Sequence, residues 1–152
     1  MFDMSMLDRQ ALDQGETKMK PYPVTDGTLV QVKEGKFTGG EKNGKQWARY
    51  DVTLEFQDEV FIKSAGRQPG ATIRYGIMVD LDDSGQIALG DGRNIRLNRF
   101  RAACGVNKPG KSLSDCVGCY LKAAIGHRDS GEVDPEDGSP IVYSDVKEVT
   151  KA

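Results

Sequence analysis

The sequence predicts a mainly β domain: five strands closing into a barrel, with one helix between strands 3 and 4. Three observations predict it. Residues 46–56, "QWARYDVTLEF", alternate apolar and polar with the two-residue period of a half-buried strand. Glycine is frequent, 18 in 152 residues, which favours a turn-rich chain. A single clear helical pattern, 93–105, falls after the strand-like runs of the first half and before two more.

Residues 1–26 have weak periodicity and excess acid, and read as an N-terminal arm with a short helix at Met4–Leu12. The first strand is expected at 28–37, "TLVQVKEGKF", with Val30 and Val32 on one face. A glycine- and lysine-rich loop, "TGGEKNGK", leads into the second strand at 46–56. There Ala48, Tyr50, Val52, Leu54 and Phe56 point one way, and Trp47, Arg49, Asp51, Thr53 and Glu55 the other. "EVFIKS" (59–64) reads as an extension of this strand or a pairing beside it. The third strand, 72–81, places Arg74, Gly76 and Met78 opposite the apolar row Ile73, Tyr75, Ile77, Val79 and Leu81.

The helix at 93–105, "RNIRLNRFRAACG", has Asn94 as N-cap, Leu97, Phe100 and Cys104 on one stripe, and Gly105 as its stop. Strands 4 and 5 are expected at 118–128 and 141–149, joined by the acidic loop 129–139. The order β-β-β-α-β-β is that of the OB-fold, a five-stranded Greek-key barrel. Residues 27–152 form that domain, with 1–26 as an arm that is partly disordered.

Composition narrows the function. At 38% hydrophobic and 29% charged the chain is an ordinary globular protein. No apolar run approaches the roughly 20 residues of a membrane span, and "MFDMSMLDRQ" lacks the layout of a signal peptide. A cytoplasmic protein is expected, and three cysteines argue against a disulfide framework. The net charge of −2 is unevenly spread. Residues 92–111 carry six Lys/Arg and no acid, whereas 129–139 carry five acids and no base. With one histidine and no nucleophile-elbow, phosphate-loop or zinc-protease motif, neither an enzyme nor a cofactor is expected.

The opposite face of strands 2 and 3 is where an OB-fold takes its ligand. Single-stranded nucleic acid requires flat faces for bases and cations for phosphates. Trp47 and Arg49 on strand 2 and Arg74 on strand 3 supply both, flanked by Phe37, Lys36, Lys42 and Lys45. Gly39, Gly40 and Gly44 would let the loop close over a strand. The alternative is that Trp47 caps the barrel and the lysines are simply solvated. Arg93, Arg96 and Arg99 share one helical face, either solvated or tracking phosphates around the barrel.

Three metal patterns stand beside this, one of them the acidic loop 129–139, which reads as a solvated hairpin tip rather than a cation site. "CVGC" with Cys104 and His127 makes a Cys3His zinc set of Cys104, Cys116, Cys119 and His127, though a second close pair is missing. Residues 80–91 match a calcium loop at Asp80, Asp82, Ser84, Gly85 and Ile87, but position twelve is Asp91 rather than a bidentate Glu. No metal is expected.

The segment 77–128, with its acidic turn, its "NIRLNRFRAACG" helix and a strand ending His-Arg, resembles small single-stranded DNA-binding proteins of bacteriophages and prophages. Trp47, Arg49, Asp51 and Glu55 match the "G..W.R.D...E" strand of such proteins, and the resemblance covers residues 27–149. It implies an OB-fold, sequence-tolerant binding of single-stranded DNA in phage replication or recombination, and homo-oligomers in a bacterial host's cytoplasm. Replication or recombination proteins are the implied partners. The ending "SDVKEVTKA" departs from the acidic, partner-recruiting tail of many replication-type binders, so recruitment through a tail is not expected. The competing expectation is an OB-like protein-interaction or virion assembly module that binds no nucleic acid.

Overall fold

A computed structural model describes residues 3–13, 15–16 and 18–152. Met1, Phe2, Gln14 and Thr17 of the expected arm lie outside the described residues. The five strands are β1 (Thr25–Lys42), β2 (Lys45–Phe56), β3 (Thr72–Val79), β4 (Tyr120–Val133) and β5 (Pro140–Lys151). They form one antiparallel sheet in the order β3-β2-β1-β4-β5. The helices are α1 (Met4–Arg9), α2 (Glu59–Ser64) and α3 (Ile95–Ala103), with a 3-10 turn at Leu113–Cys116.

The alternation expected for β2 holds: Tyr50, Val52, Leu54 and Phe56 are buried, joined by Ile73, Tyr75, Ile77 and Val79 from β3. Residues 38–45, expected to be a loop, are instead the end of a β-hairpin. β1 runs on to Lys42, and only Asn43 and Gly44 turn the chain, both with positive φ (53° and 75°). An Asn-Gly pair suits such a turn, because its twist matches that of the flanking strands. Beyond Val32, β1 has lost β4 as a neighbour, so the hairpin extends from the sheet as a two- to three-stranded ribbon.

A register shift between Val32 and Glu34 makes this possible. One extra residue reverses which face the following side chains occupy. Val30 and Val32 point inward before the bulge; Gly35 and Phe37 do so after it, opposite Val52 and Tyr50. Gly35 is required there, since an added Cβ would lie against the Tyr50 hydroxyl.

Helices are expected at Met4–Leu12 and 93–105, where α1 and α3 lie; α2 is an addition that corrects the expected strand. Residues 59–64 are α2 rather than strand: Asp58 caps it by accepting from the Val60 and Phe61 amides at 3.0 and 3.3 Å, while Phe61 and Ile62 enter the core. Such a cap contributes about 1 kcal/mol. α3 buries Leu97 and Phe100, each stabilising by roughly 1.5–3 kcal/mol. Asn94, expected to cap α3, makes no cap bond. It has φ 58°, and its amide holds the preceding turn through Asp80 N, Asp80 O and Ala88 O at 2.7–3.0 Å.

The expected closed barrel is corrected as well. β3 and β5 approach but share no ladder, so the sheet is open at that seam, and α3 packs against both edge strands there. Part of the arm is docked on the body. Tyr22 is buried against Phe56 and Phe61, its amide donates to Ser144 Oγ at 2.7 Å, and the Arg67 guanidinium covers its ring at 4.9 Å.

Candidate nucleic-acid interface

Strand register decides which expected site residues share a face. Directly opposed residues of an antiparallel pair lie on the same side. The pairs Lys42–Lys45, Gly40–Trp47, Thr38–Arg49 and Lys36–Asp51 set one row of the outer face. From β3, Met78 lies beside Arg49, Gly76 beside Asp51 and Arg74 beside Thr53. The structure thus brings Lys36, Lys42, Lys45, Trp47, Arg49 and Arg74 onto one outward face, and the three lysines lie at the ribbon tip or on its β1 edge.

Phe37 does not join them, and its expected place beside Trp47 is corrected. It lies on the inner face, its ring 4.8 Å from that of Tyr50, and is 51% exposed at the rim of the core. The bulge at Val32–Glu34 is the reason. The Tyr50 hydroxyl is pushed to a higher pKa by burial, with the thiols of Cys116 and Cys104 adding to the effect.

Trp47 is half-buried and crosses the opposite strand at a glycine. A Cβ on Gly40 would lie 3.1 Å from Trp47 Nε1, so a larger residue there would push the indole aside by a few tenths of an ångström. Arg49 sits 6.0 Å from the indole centroid and is held by Asp51, with Nε donating to Oδ1 at 2.7 Å and Nη2 to Oδ2 at 3.4 Å. Thr38 Oγ1 donates to the same carboxylate at 3.0 Å. Asp51 is only 5% exposed. Burial alone would raise its pKa, but the hydrogen bonds from Arg49 and Thr38, with the charges of Arg49 and Arg74, hold it below the ordinary value. Gly76 leaves room for this pair, since a Cβ there would meet Arg49 Cδ at 3.3 Å.

No protein family, curated protein or solved structure matches the chain. The site is therefore read from its own geometry.

Sequence reasoning passed over a groove beside Trp47. It is about 460 Å³, lined by Trp47, Met78, Ile95 and Arg96 among others, with Met78 62% exposed. The alternation of β3 placed Met78 on this face, but nothing in the sequence joined it to the start of α3.

The cysteines of the zinc alternative gather, with Cys119 Sγ 3.5 Å from Cys104 O, and the Cys104 thiol is pushed to a higher pKa by its hydrogen bond with Cys116 and by burial. His127 does not join them. It lies seven positions along β4 from Tyr120, a rise of about 23 Å, with Nε2 2.6 Å from Tyr22 O. Among the described residues no group of three or more His, Cys, Asp or Glu side chains is arranged to hold a metal ion. In the calcium-like segment, Asp82 Oδ1 accepts from Ser84 N, Ser84 Oγ and Gln86 N, which makes it a turn-forming carboxylate. Among the described residues, no helix is long and apolar enough to cross a membrane.

Proposed function

We propose that this chain binds single-stranded DNA without sequence preference, as a self-associating OB-fold protein of phage replication or recombination in a bacterial host's cytoplasm. The observation that carries the reading is the shared face: Trp47, flanked by Arg49, with Lys36, Lys42, Lys45 and Arg74 on the same side of β1–β2–β3. The strand order, with β1 between β2 and β4, supports the OB-fold part, since that fold is a partly open five-stranded barrel.

Each element has a physical role. The indole offers a base a stacking surface worth about 1–3 kcal/mol. The lysines neutralise phosphates and release counterions. Asp51 fixes Arg49 beside the indole and tempers its charge, so Arg49 orients the platform more than it attracts DNA. Glu55 is likewise engaged, 3.9 Å from Lys33. Backbone and ring contacts of this type carry no base code, so binding tolerates any sequence.

The test is the affinity for a labelled dT oligonucleotide, read by anisotropy across a salt series. The log–log slope should be about −0.7 per phosphate neutralised. A slope near zero, or no binding at low salt, would refute the proposal.

A second reading, a protein-interaction or virion assembly module, is favoured by one observation. An apolar groove of about 710 Å³ lies under the inner face of the hairpin, with Phe37 and Leu89 exposed at its rim and Leu97 and Leu113 deeper. Binding of a partner there would leave the Trp47 face untouched.

A further inference from the structure

The open seam between β3 and β5 carries a second cluster of cations that the sheet face does not use. Arg96 and Arg99 of α3 and Lys147 of β5 line a cleft of about 240 Å³ there, floored by Tyr75 and Val149. All three cations are exposed. Arg96 is positioned by Tyr75, whose ring centroid lies 5.9 Å from the guanidinium. Lys147 lies across Gly126, where a Cβ would meet its Cε at 2.6 Å, and it pairs with Asp145 at 3.4 Å. Among the described residues, Glu148 is the one acid lining the cleft.

Arg96 also lines the groove that holds Trp47, Met78 and Ile95. The two depressions therefore meet at one side chain. We infer that single-stranded DNA stacked on Trp47 continues over Met78 and Ile95, and that Arg96, Arg99 and Lys147 bind its next phosphates in the β3–β5 seam. This rests on the single-strand reading and extends it, because α3 becomes part of the DNA path. Ridges of cations bordering a cleft hold phosphates without reading bases. The seam suits this role because no backbone ladder crosses it and the helix that fills it presents arginines outward.

The experiment compares wild type with Arg96→Gln/Arg99→Gln, titrating Trp47 fluorescence with dT oligonucleotides of about 4 to about 16 nucleotides over a salt series. The double variant should keep the quenching amplitude, lose about 1.4 from the magnitude of the salt slope, and saturate with an oligonucleotide about two nucleotides shorter. Arg99→Gln/Lys147→Gln leaves the Tyr75 contact intact and should behave alike. If both variants quench with wild-type slope and wild-type minimum length, the seam is not on the path and the inference fails while the platform stands. If wild type itself shows no quenching, the platform reading fails and the seam path fails with it.

Discussion

Asp51→Asn is expected to make the protein less stable and its DNA binding tighter. The carboxylate accepts three hydrogen bonds, two from Arg49 and one from Thr38, and is almost fully buried. A hydrogen bond to a charged group contributes about 1.5–3 kcal/mol and a neutral one about 0.5–1.5. The amide keeps one acceptor and turns a donor toward the others. Arg49 is 41% exposed, so water takes over part of its pairing, which lowers the cost. The net loss is about 1.5 kcal/mol, equivalent to roughly 3–6 °C in Tm for a chain of this size. Arg49 then carries an uncompensated charge beside Trp47. One added phosphate contact steepens the salt slope by about 0.7. The pH dependence follows from the lowered pKa of Asp51. Its contribution is complete above the ordinary value of 3.8 and is lost as pH falls through the lower folded value. Wild type and variant should therefore differ in urea stability at neutral pH and converge in acid, below that window. The assays are urea unfolding against pH and anisotropy against salt. A variant that loses stability and also binds DNA more weakly would refute the assignment of Asp51 as a restraint on Arg49.

Trp47→Ala should weaken dT binding by about 1–3 kcal/mol, read by anisotropy, with a smaller effect on Tm, because the indole packs on Gly40 outside the core cluster. Phe37→Ala should leave affinity and salt slope at wild-type values while costing about 1 kcal/mol in urea unfolding, from the lost ring contact with Tyr50. Gly40→Ala should shift the Trp47 emission maximum without DNA present, since the new Cβ meets the indole at 3.1 Å. Gly44→Ala, at φ 75°, should destabilise the hairpin by about 1–2 kcal/mol, seen as faster amide exchange at the ribbon tip.

Local pattern was enough where neighbours obeyed it. β2 could be read residue by residue because its sequence alternates without a break, and that alone separated Trp47, Arg49 and Asp51 from the core row, although Asp51 is itself buried where it pairs with Arg49 and Thr38. The helix at α3 was visible from Leu97 and Phe100, although Asn94 serves the preceding turn rather than the cap. β1 misled because the bulge at Val32–Glu34 reverses parity, moving Phe37 inward and Lys36 outward, and single-strand periodicity does not reveal a bulge. Gly39 and Gly40 looked like loop, while Gly35 fell within the expected first strand. Gly35 and Gly40 are sites where Tyr50 and Trp47 cross the partner strand, a reason that exists only once the strands pair. For α2 a signal was present: Asp58 ahead of Glu59, with Phe61, Ile62 and Ala65 spaced for one helical face. The open seam had no local signal, because closure depends on the relative reach of β3 and β5.

The central claim is that a base stacks on Trp47 while cations of the same face hold the phosphates. Trp47 is the only tryptophan, so its emission reports that face alone. The decisive measurement is Trp47 fluorescence during titration with a dT oligonucleotide at low and then high salt. The account predicts saturable quenching whose midpoint moves to higher oligonucleotide concentration as salt rises. Emission that stays unchanged at oligonucleotide concentrations where anisotropy shows complex, or where none forms, would contradict it.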